Sequence, residues 1–321
     1  MITVSAPGKL LLFGEHAAVY GHPCIVTAVG QRMNATVTLL DTPEFLLDAE
    51  DVDVKGYVKK IADVGVGVIP KGAQFVEIAL KNFSQIYPLS GGVQIVMQSA
   101  FSHQFGFGSS SASTVCVIKA LSELMHVSLS DKALFDLSYK TVLDIQKTGS
   151  GFDVAVAIYG GTIGYVKGGE DIERLDASEL PFIIGYSGTK ADTTSLILDV
   201  KKKYDNEPEK VGRIFTAISD IVRDAKKELL EKDWERLGTL MNFNQEYLRD
   251  LGVSTEKLEA MIYTAKKAGA YGAKLSGAGG GDCMIVIAPP DKREAVCDAI
   301  TNAGGQVINI PIHEEGVRTE I

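Results

Sequence analysis

The chain has 321 residues, of which 45% are hydrophobic and 23% charged, with 33 glycines and 10 prolines. That length suits two lobes of ordinary domain size, and the composition excludes a disordered chain, a collagen-like repeat and a disulfide mini-scaffold. A net charge of −9 argues against nucleic acid as a partner, so an anionic metabolite would need a site that concentrates lysines and helix N-termini locally.

In chain order, strands are predicted at Ile2 to Val4, Leu10 to Phe13 and Asn34 to Leu40. Residues 74–87 carry helical spacing and 92–98 read as a strand. A glycine-serine loop at 106–111 opens a helix with Val115, Ile118, Leu121 and Met125 on one side. A second helix, about 131–146, runs into a glycine-rich turn and a strand at 161–166. The charged turn at 167–171 divides the chain into expected lobes 1–170 and 171–321. The second lobe begins with a strand at 182–186. Amphipathic helices follow at about 209–230, 233–249 and 255–268, then strand, glycine loop and strand over 272–287, a helix at 291–303 and a strand at 306–310. Strands and helices interleave without regular βαβ alternation, which favours an α+β fold with mixed or antiparallel sheets.

Cys24, Cys116, Cys283 and Cys297 are scattered without a C-x-x-C pair, which reads as buried thiols in a reducing compartment rather than a zinc site. No basic n-region precedes an apolar run at the start, and no stretch reaches the roughly 18–20 uncharged apolar residues that span a bilayer. The expectation is a cytoplasmic protein without a membrane partner, with a homodimer left open.

Three glycine-rich loops carry the chemistry. In Ala6-Pro-Gly-Lys9 a lysine beside a Pro-Gly turn could aim its ammonium into a cleft or simply meet solvent; Glu15 and His16 follow directly after Phe13-Gly14. The second loop, within His103-Gln-Phe-Gly-Phe-Gly-Ser-Ser-Ser-Ala112, opens a helix. Its glycines let backbone N–H groups approach an anion, although a serine N-cap would give the same pattern. The third, Ala273-Lys-Leu-Ser-Gly-Ala-Gly-Gly-Gly-Asp-Cys283, places four glycines in five residues, which suits a tight bend or close contact with a ligand. Between the last two, Asp153 lies on the glycine hinge of Lys147-Thr-Gly-Ser-Gly-Phe-Asp, as a helix cap or as a general base. No Walker A or protein-kinase motif occurs.

Together the loops resemble those of the GHMP small-molecule kinases, over nearly the whole chain. PGKLLLFGEHAAVYGHP and LMNFNQEYLRDLGVSTEKLEAMIYTAKKAGAYGAK are similar to mevalonate kinases, while KTGSGFDVA and SGAGGGDC are closer to phosphomevalonate kinases. The second loop departs from the family's GLGSSAA, and the magnesium-binding glutamate of mevalonate kinases falls on Val142, two residues before Asp144.

The resemblance implies a two-lobed kinase with its site between the lobes, binding ATP with Mg²⁺ and a small-molecule acceptor. It implies that Gly106, Phe107, Gly108, Ser109, Ser110 and Ser111 cradle the ATP phosphates, with Ser110 as a Mg²⁺ ligand. Asp153 would take the acceptor's proton and Lys9 would stabilise the developing charge. Glu15, His16, Lys147, Ser150, Lys190, Gly277, Ala278, Gly279 and Gly280 would face the substrate. The implied activity is an isoprenoid-pathway kinase acting on the 5-hydroxyl of mevalonate or of a phosphorylated mevalonate such as mevalonate 3-phosphate. Mevalonate 5-phosphate as acceptor is the alternative, and a non-catalytic ligand sensor on the same fold is the alternative of another class.

Overall fold

A computed structural model describes residues 1–101, 105–177 and 179–320; His103 and Gln104, where the second loop begins, lie outside them. In chain order the elements are β1 (Ile2–Phe13), β2 (Cys24–Leu40), β3 (Glu44–Ala49), β4 (Val54–Lys60), α1 (Gln74–Ile86), β5 (Gly92–Ser99), α2 (Ser109–Leu124), α3 (Asp131–Gln146), α4 (Phe152–Tyr159), β6 (Thr162–Val166) and β7 (Asp171–Leu175). There follow β8 (Phe182–Tyr186), α5 (Thr193–Asn206), α6 (Pro208–Glu231), α7 (Trp234–Leu251), α8 (Glu256–Lys267), β9 (Gly272–Ser276), β10 (Cys283–Ile287), α9 (Arg293–Asn302), β11 (Gln306–Ile308) and β12 (Arg318–Glu320).

Two sheets result. The larger has eight strands in the order β12-β1-β2-β5-β3-β4, with β6 paired to β2 and β7 to β6; the smaller is antiparallel, β11-β8-β10-β9. Most pairings are antiparallel, and β3 runs parallel to β5, so the expected α+β class with mixed sheets holds. The organising strand is β2, 17 residues long. Along one edge it pairs with β1; along the other it pairs with β6 near its start and β5 near its end. Helix α2 packs on β1 and β2 and also against α1, α3 and α4; Val115, Ile118 and Leu121 are buried as their spacing predicts, and Cys116 Sγ reaches the Met33 carbonyl of β2 (3.2 Å).

Two expectations are corrected. The Pro-Gly turn at Ala6 to Lys9 is no turn: β1 runs unbroken for 12 residues, with its register against β2 shifting between Pro7 and Gly8. Proline has no N–H for the ladder, so the strand tolerates it at an irregularity and continues. The charged turn at 167–171, expected as the division between lobes, joins two strands of the same, larger sheet. It is the β6–β7 connection, held by Gly168 N–H to the Ser150 carbonyl in the turn before α4 (3.2 Å) and by Lys167 Nζ to the Val19 carbonyl between β1 and β2 (2.7 Å). The chain changes sheet between Leu175 and Phe182.

The segment 311–320 then returns to the larger sheet. Gly30 N–H donates to the Pro311 carbonyl (2.8 Å), Arg32 reaches the Glu315 and Gly316 carbonyls (both 2.8 Å), and β12 closes the edge of β1. At the opposite end, β9 is an edge strand whose free backbone groups meet side chains of α7. Asn242 Nδ2 donates to the Tyr271 carbonyl (3.0 Å), and Leu275 N–H donates to Gln245 Oε1 (2.9 Å). The motif LMNFNQEYLRDLG thus covers an edge that would otherwise invite another strand. No helix among the described residues is long and apolar enough to cross a membrane.

Candidate active site

The second loop lies along β1. Lys9 N–H donates to the Phe107 carbonyl (2.9 Å), and a Cβ on Gly8 would stand 2.8 Å from that same oxygen, so only glycine lets the two segments touch. Gly108 then caps α2 with φ +77° and no side-chain cap bond, which removes the serine N-cap reading. Its α-carbon separates the two chemical groups: a Cβ there would lie 3.1 Å from Lys9 Cγ and 3.7 Å from Asp153 Cβ. Lys9 and Asp153 therefore flank the N-terminus of α2, where unpaired N–H groups and the helix dipole favour phosphate. Lys9 Nζ also stands 5.9 Å from the centre of the Phe152 ring, a cation–π contact that steadies the ammonium.

Asp153 sits in the first turn of α4. Its carboxylate does not cap that helix; Oδ2 accepts from the hydroxyl of buried Ser111 at 2.5 Å. Ser111, expected among the residues that cradle the ATP phosphates, is thus a partner of Asp153. The turn before Asp153 is held by two tyrosines. Tyr165 Oη donates to the Ser150 carbonyl (2.6 Å) and Tyr139 Oη to the Gly149 carbonyl (3.0 Å). Both press on Gly151, where a Cβ would meet the Tyr165 oxygen at 2.7 Å and the Tyr139 ring at 2.9 Å. Ser150 is buried beneath this turn.

The third loop closes the far side. A Cβ on Gly277 would stand 4.0 Å from Lys9 Nζ, whereas Gly279 and Gly281 are pressed against the carbonyls of Val253 and Thr189, and Gly280 against Leu196 of α5. These contacts explain the run of glycines as close packing on three neighbours. Asp282 ends the loop with φ +52°, its Oδ1 accepting from Ala191 N–H (3.0 Å) and its Oδ2 where a Cβ on Gly106 would come within 2.4 Å. Burial pushes the Asp282 carboxyl up, opposed by the Ala191 N–H and by Lys9 and Lys190.

Glu15 and His16, expected to face the substrate, are both buried. Glu15 is fully enclosed, its Oε1 accepting from Lys274. Burial pushes the Glu15 carboxyl up and the Lys274 ammonium down, and each pulls the other back. His16 Nε2 bonds to the Ala278 carbonyl (2.9 Å), which fixes Ala278 beside Gly277. Lys147 is exposed and turned back to the Asp144 carbonyl (2.6 Å), closing the end of α3; Lys190 is exposed on the loop before α5. Val142 is buried, and Asp144 is engaged by Lys140 (2.7 Å) and Asn82 (2.9 Å); burial would raise its carboxyl, but these two partners hold it below its ordinary value.

The buried His16 gives a pH dependence of stability. Burial lowers its pKa from 6.5, with the Ala278 carbonyl pulling the other way. Between the lowered value and 6.5 the unfolded chain binds more protons than the folded one, so stability falls as pH drops below 6.5 and is unaffected above it. Tm measured from about pH 8 to about pH 5 is expected to decline less steeply in His16→Gln, which retains a donor for Ala278. Equal acid slopes would remove His16 as a cause.

Profiles for the N-terminal domain and for the C terminus of GHMP kinases match residues 74–161 and 225–306. The mevalonate kinase of Pyrococcus furiosus is 36% identical, over 99% of this chain and 98% of its own. This chain belongs to the GHMP kinases. As such it is an ATP-dependent kinase of small-molecule alcohols. Among solved GHMP kinases, the Methanococcus jannaschii mevalonate kinase superposes with a TM-score of 0.80 at 26% identity, covering 97% of this chain and 98% of that one. The Streptococcus pneumoniae phosphomevalonate kinase, solved with phosphomevalonate and AMPPNP, also reaches 0.80, covering 97% and 100% of the two chains, but at 18% identity it attests the fold alone.

Proposed function

We propose that this kinase transfers the γ-phosphoryl group of ATP to the 5-hydroxyl of mevalonate, in the mevalonate route to isoprenoids. The observation that carries the reading is the placement of Lys9 and Asp153 on either side of Gly108, at the N-terminus of α2. Full-length identity to enzymes named mevalonate kinase favours the acceptor. Asp153 accepts the hydroxyl proton as that oxygen attacks the γ-phosphorus, and ADP leaves with the bridging oxygen and its electron pair. The Ser111 hydroxyl holds the carboxylate through Oδ2, and Lys9 offsets charge on the transferring group.

The donor set fits Mg²⁺ as a nucleotide-bound ion. No cluster of three or more His, Cys, Asp or Glu occurs among the described residues, which excludes an all-protein cage there. Ser110, half-buried in the first turn of α2 and next in the chain to Ser111, offers one hydroxyl, and Mg²⁺ characteristically keeps few protein ligands beside phosphates and water. Ser110 would hold the ion, which when bound neutralises phosphate charge. The unpaired cysteines suit a cytoplasmic location.

A phosphorylated acceptor calls for a cation at the phosphate it already carries. Of the two lysines expected to meet such a phosphate, Lys147 donates to the Asp144 backbone carbonyl, so Lys190 is the one to test. The test compares kcat/KM for mevalonate and its 3- and 5-phosphates in wild type and Lys190→Ala. Mevalonate is expected to be preferred, with Lys190→Ala altering that value little. If Lys190 held a substrate phosphate, the phosphorylated acceptor would be preferred and would lose about 10- to 150-fold in the variant, equivalent to about 1.5–3 kcal/mol. ATP binding without turnover of any acceptor would favour a sensor.

A further inference from the structure

Side-chain bonds join the end of β1, in the larger sheet, to β9 and the third loop, in the smaller one. Ser276 Oγ donates to the Leu11 carbonyl (2.7 Å), Lys274 Nζ donates to the Leu12 carbonyl (3.1 Å) and to Glu15, and His16 Nε2 meets the Ala278 carbonyl (2.9 Å). The third N–H of Lys274 goes to the Leu275 carbonyl (2.7 Å), so all three donors are used. Both Lys274 and Glu15 are 0% exposed, and Glu15 Oε2 has no partner among the described residues. Phe13 closes the site from another side, its ring centre 5.6 Å from Lys274 Nζ.

A fully buried ion pair with an oxygen left unsatisfied is a poor source of stability, because desolvation of two charges consumes most of the attraction between them. Its effect is on position. Lys274 lies three residues before Gly277, which borders Lys9 Nζ, and Glu15 lies just past the strand that carries Lys9. We propose that Lys274 is a positioning residue: acting through Glu15, it clamps the end of β1 to the third loop and thereby sets where the Lys9 ammonium stands relative to Gly277 and Asp153. It touches no reacting atom. The proposal rests on the phosphoryl-transfer role of Lys9 and is independent of which acceptor is used.

The experiment compares Lys274→Met, the double variant Glu15→Gln/Lys274→Met and Lys274→Arg with wild type, using the acceptor that wild type turns over fastest. Lys274→Met leaves an unpaired buried carboxyl and is expected to lose Tm and kcat together. The double variant is expected to regain most of the Tm while kcat stays down by about tenfold or more and KM for ATP moves less than about threefold. Recovery of kcat along with Tm would mean a purely structural pair and overturn the proposal. Lys274→Arg keeps the charge but cannot direct three donors from one nitrogen to Glu15, Leu12 and Leu275. It is expected to fold with depressed kcat, and wild-type kcat in it overturns the proposal even if the double variant does not fold. Wild type active on another acceptor but idle with mevalonate sinks the acceptor assignment and leaves this test intact.

Discussion

Asp153→Asn is expected to lower kcat by about 10²–10⁴, a barrier increase of about 2.7–5.4 kcal/mol. The variant is nearly isosteric, and the Ser111 hydroxyl can still donate to the amide oxygen that replaces Oδ2. Folding and KM for ATP should therefore stay near wild type, which separates loss of the base from loss of the loop. Steady-state kinetics with saturating acceptor, alongside thermal denaturation, checks both. A variant keeping more than about a tenth of its turnover would take Asp153 out of proton transfer.

Gly108→Val is expected to abolish productive ATP binding, raising the Kd for ATP by more than about tenfold. Two effects combine. A β-branched residue is strained at φ +77°, and the first added atom already stands 3.1 Å from Lys9 Cγ, with the branches reaching toward Asp153. Gly108→Ala carries much of the strain without the branches, so the difference between the two variants reports occlusion of the phosphate site. Calorimetric titration with ATP measures it directly. Unchanged affinity in Gly108→Val would place the nucleotide elsewhere.

The residues that could be read from the sequence are those whose chemistry forces an unusual local composition. Gly108 must be left-handed and open, so glycine marks it, and Lys9 and Asp153 are charges embedded in apolar or glycine-rich surroundings. The residues missed act through partners distant in sequence. Lys274 looks like any strand lysine until Glu15, 259 positions away, is found beside it. Tyr139 and Tyr165 read as core aromatics, and only the fold brings their hydroxyls to the turn before Asp153. Helix α5 escapes because its apolar residues are contiguous (Leu196-Ile-Leu) rather than spaced on one face, and only Val200 is buried. Strand β4 escapes for the opposite reason: it is an edge strand studded with Lys55, Lys59 and Lys60, whose charges protect the edge and erase the alternation that would reveal it.

The return of β12 to β1 sets the order in which this protein can be completed during synthesis. β1 and β2 leave the ribosome well before β12, since the partner that covers the outer edge of β1 is separated from β2 by roughly 280 residues, or about 14–56 s of translation. Throughout that interval Thr3 to Ser5 present an unpaired strand edge to every other nascent chain nearby. The buried Ser5 hydroxyl and the half-buried Arg32 guanidinium that meet Glu320, Glu315 and Gly316 in the finished protein put polar groups along that edge while it waits, discouraging association with the apolar strands of other chains.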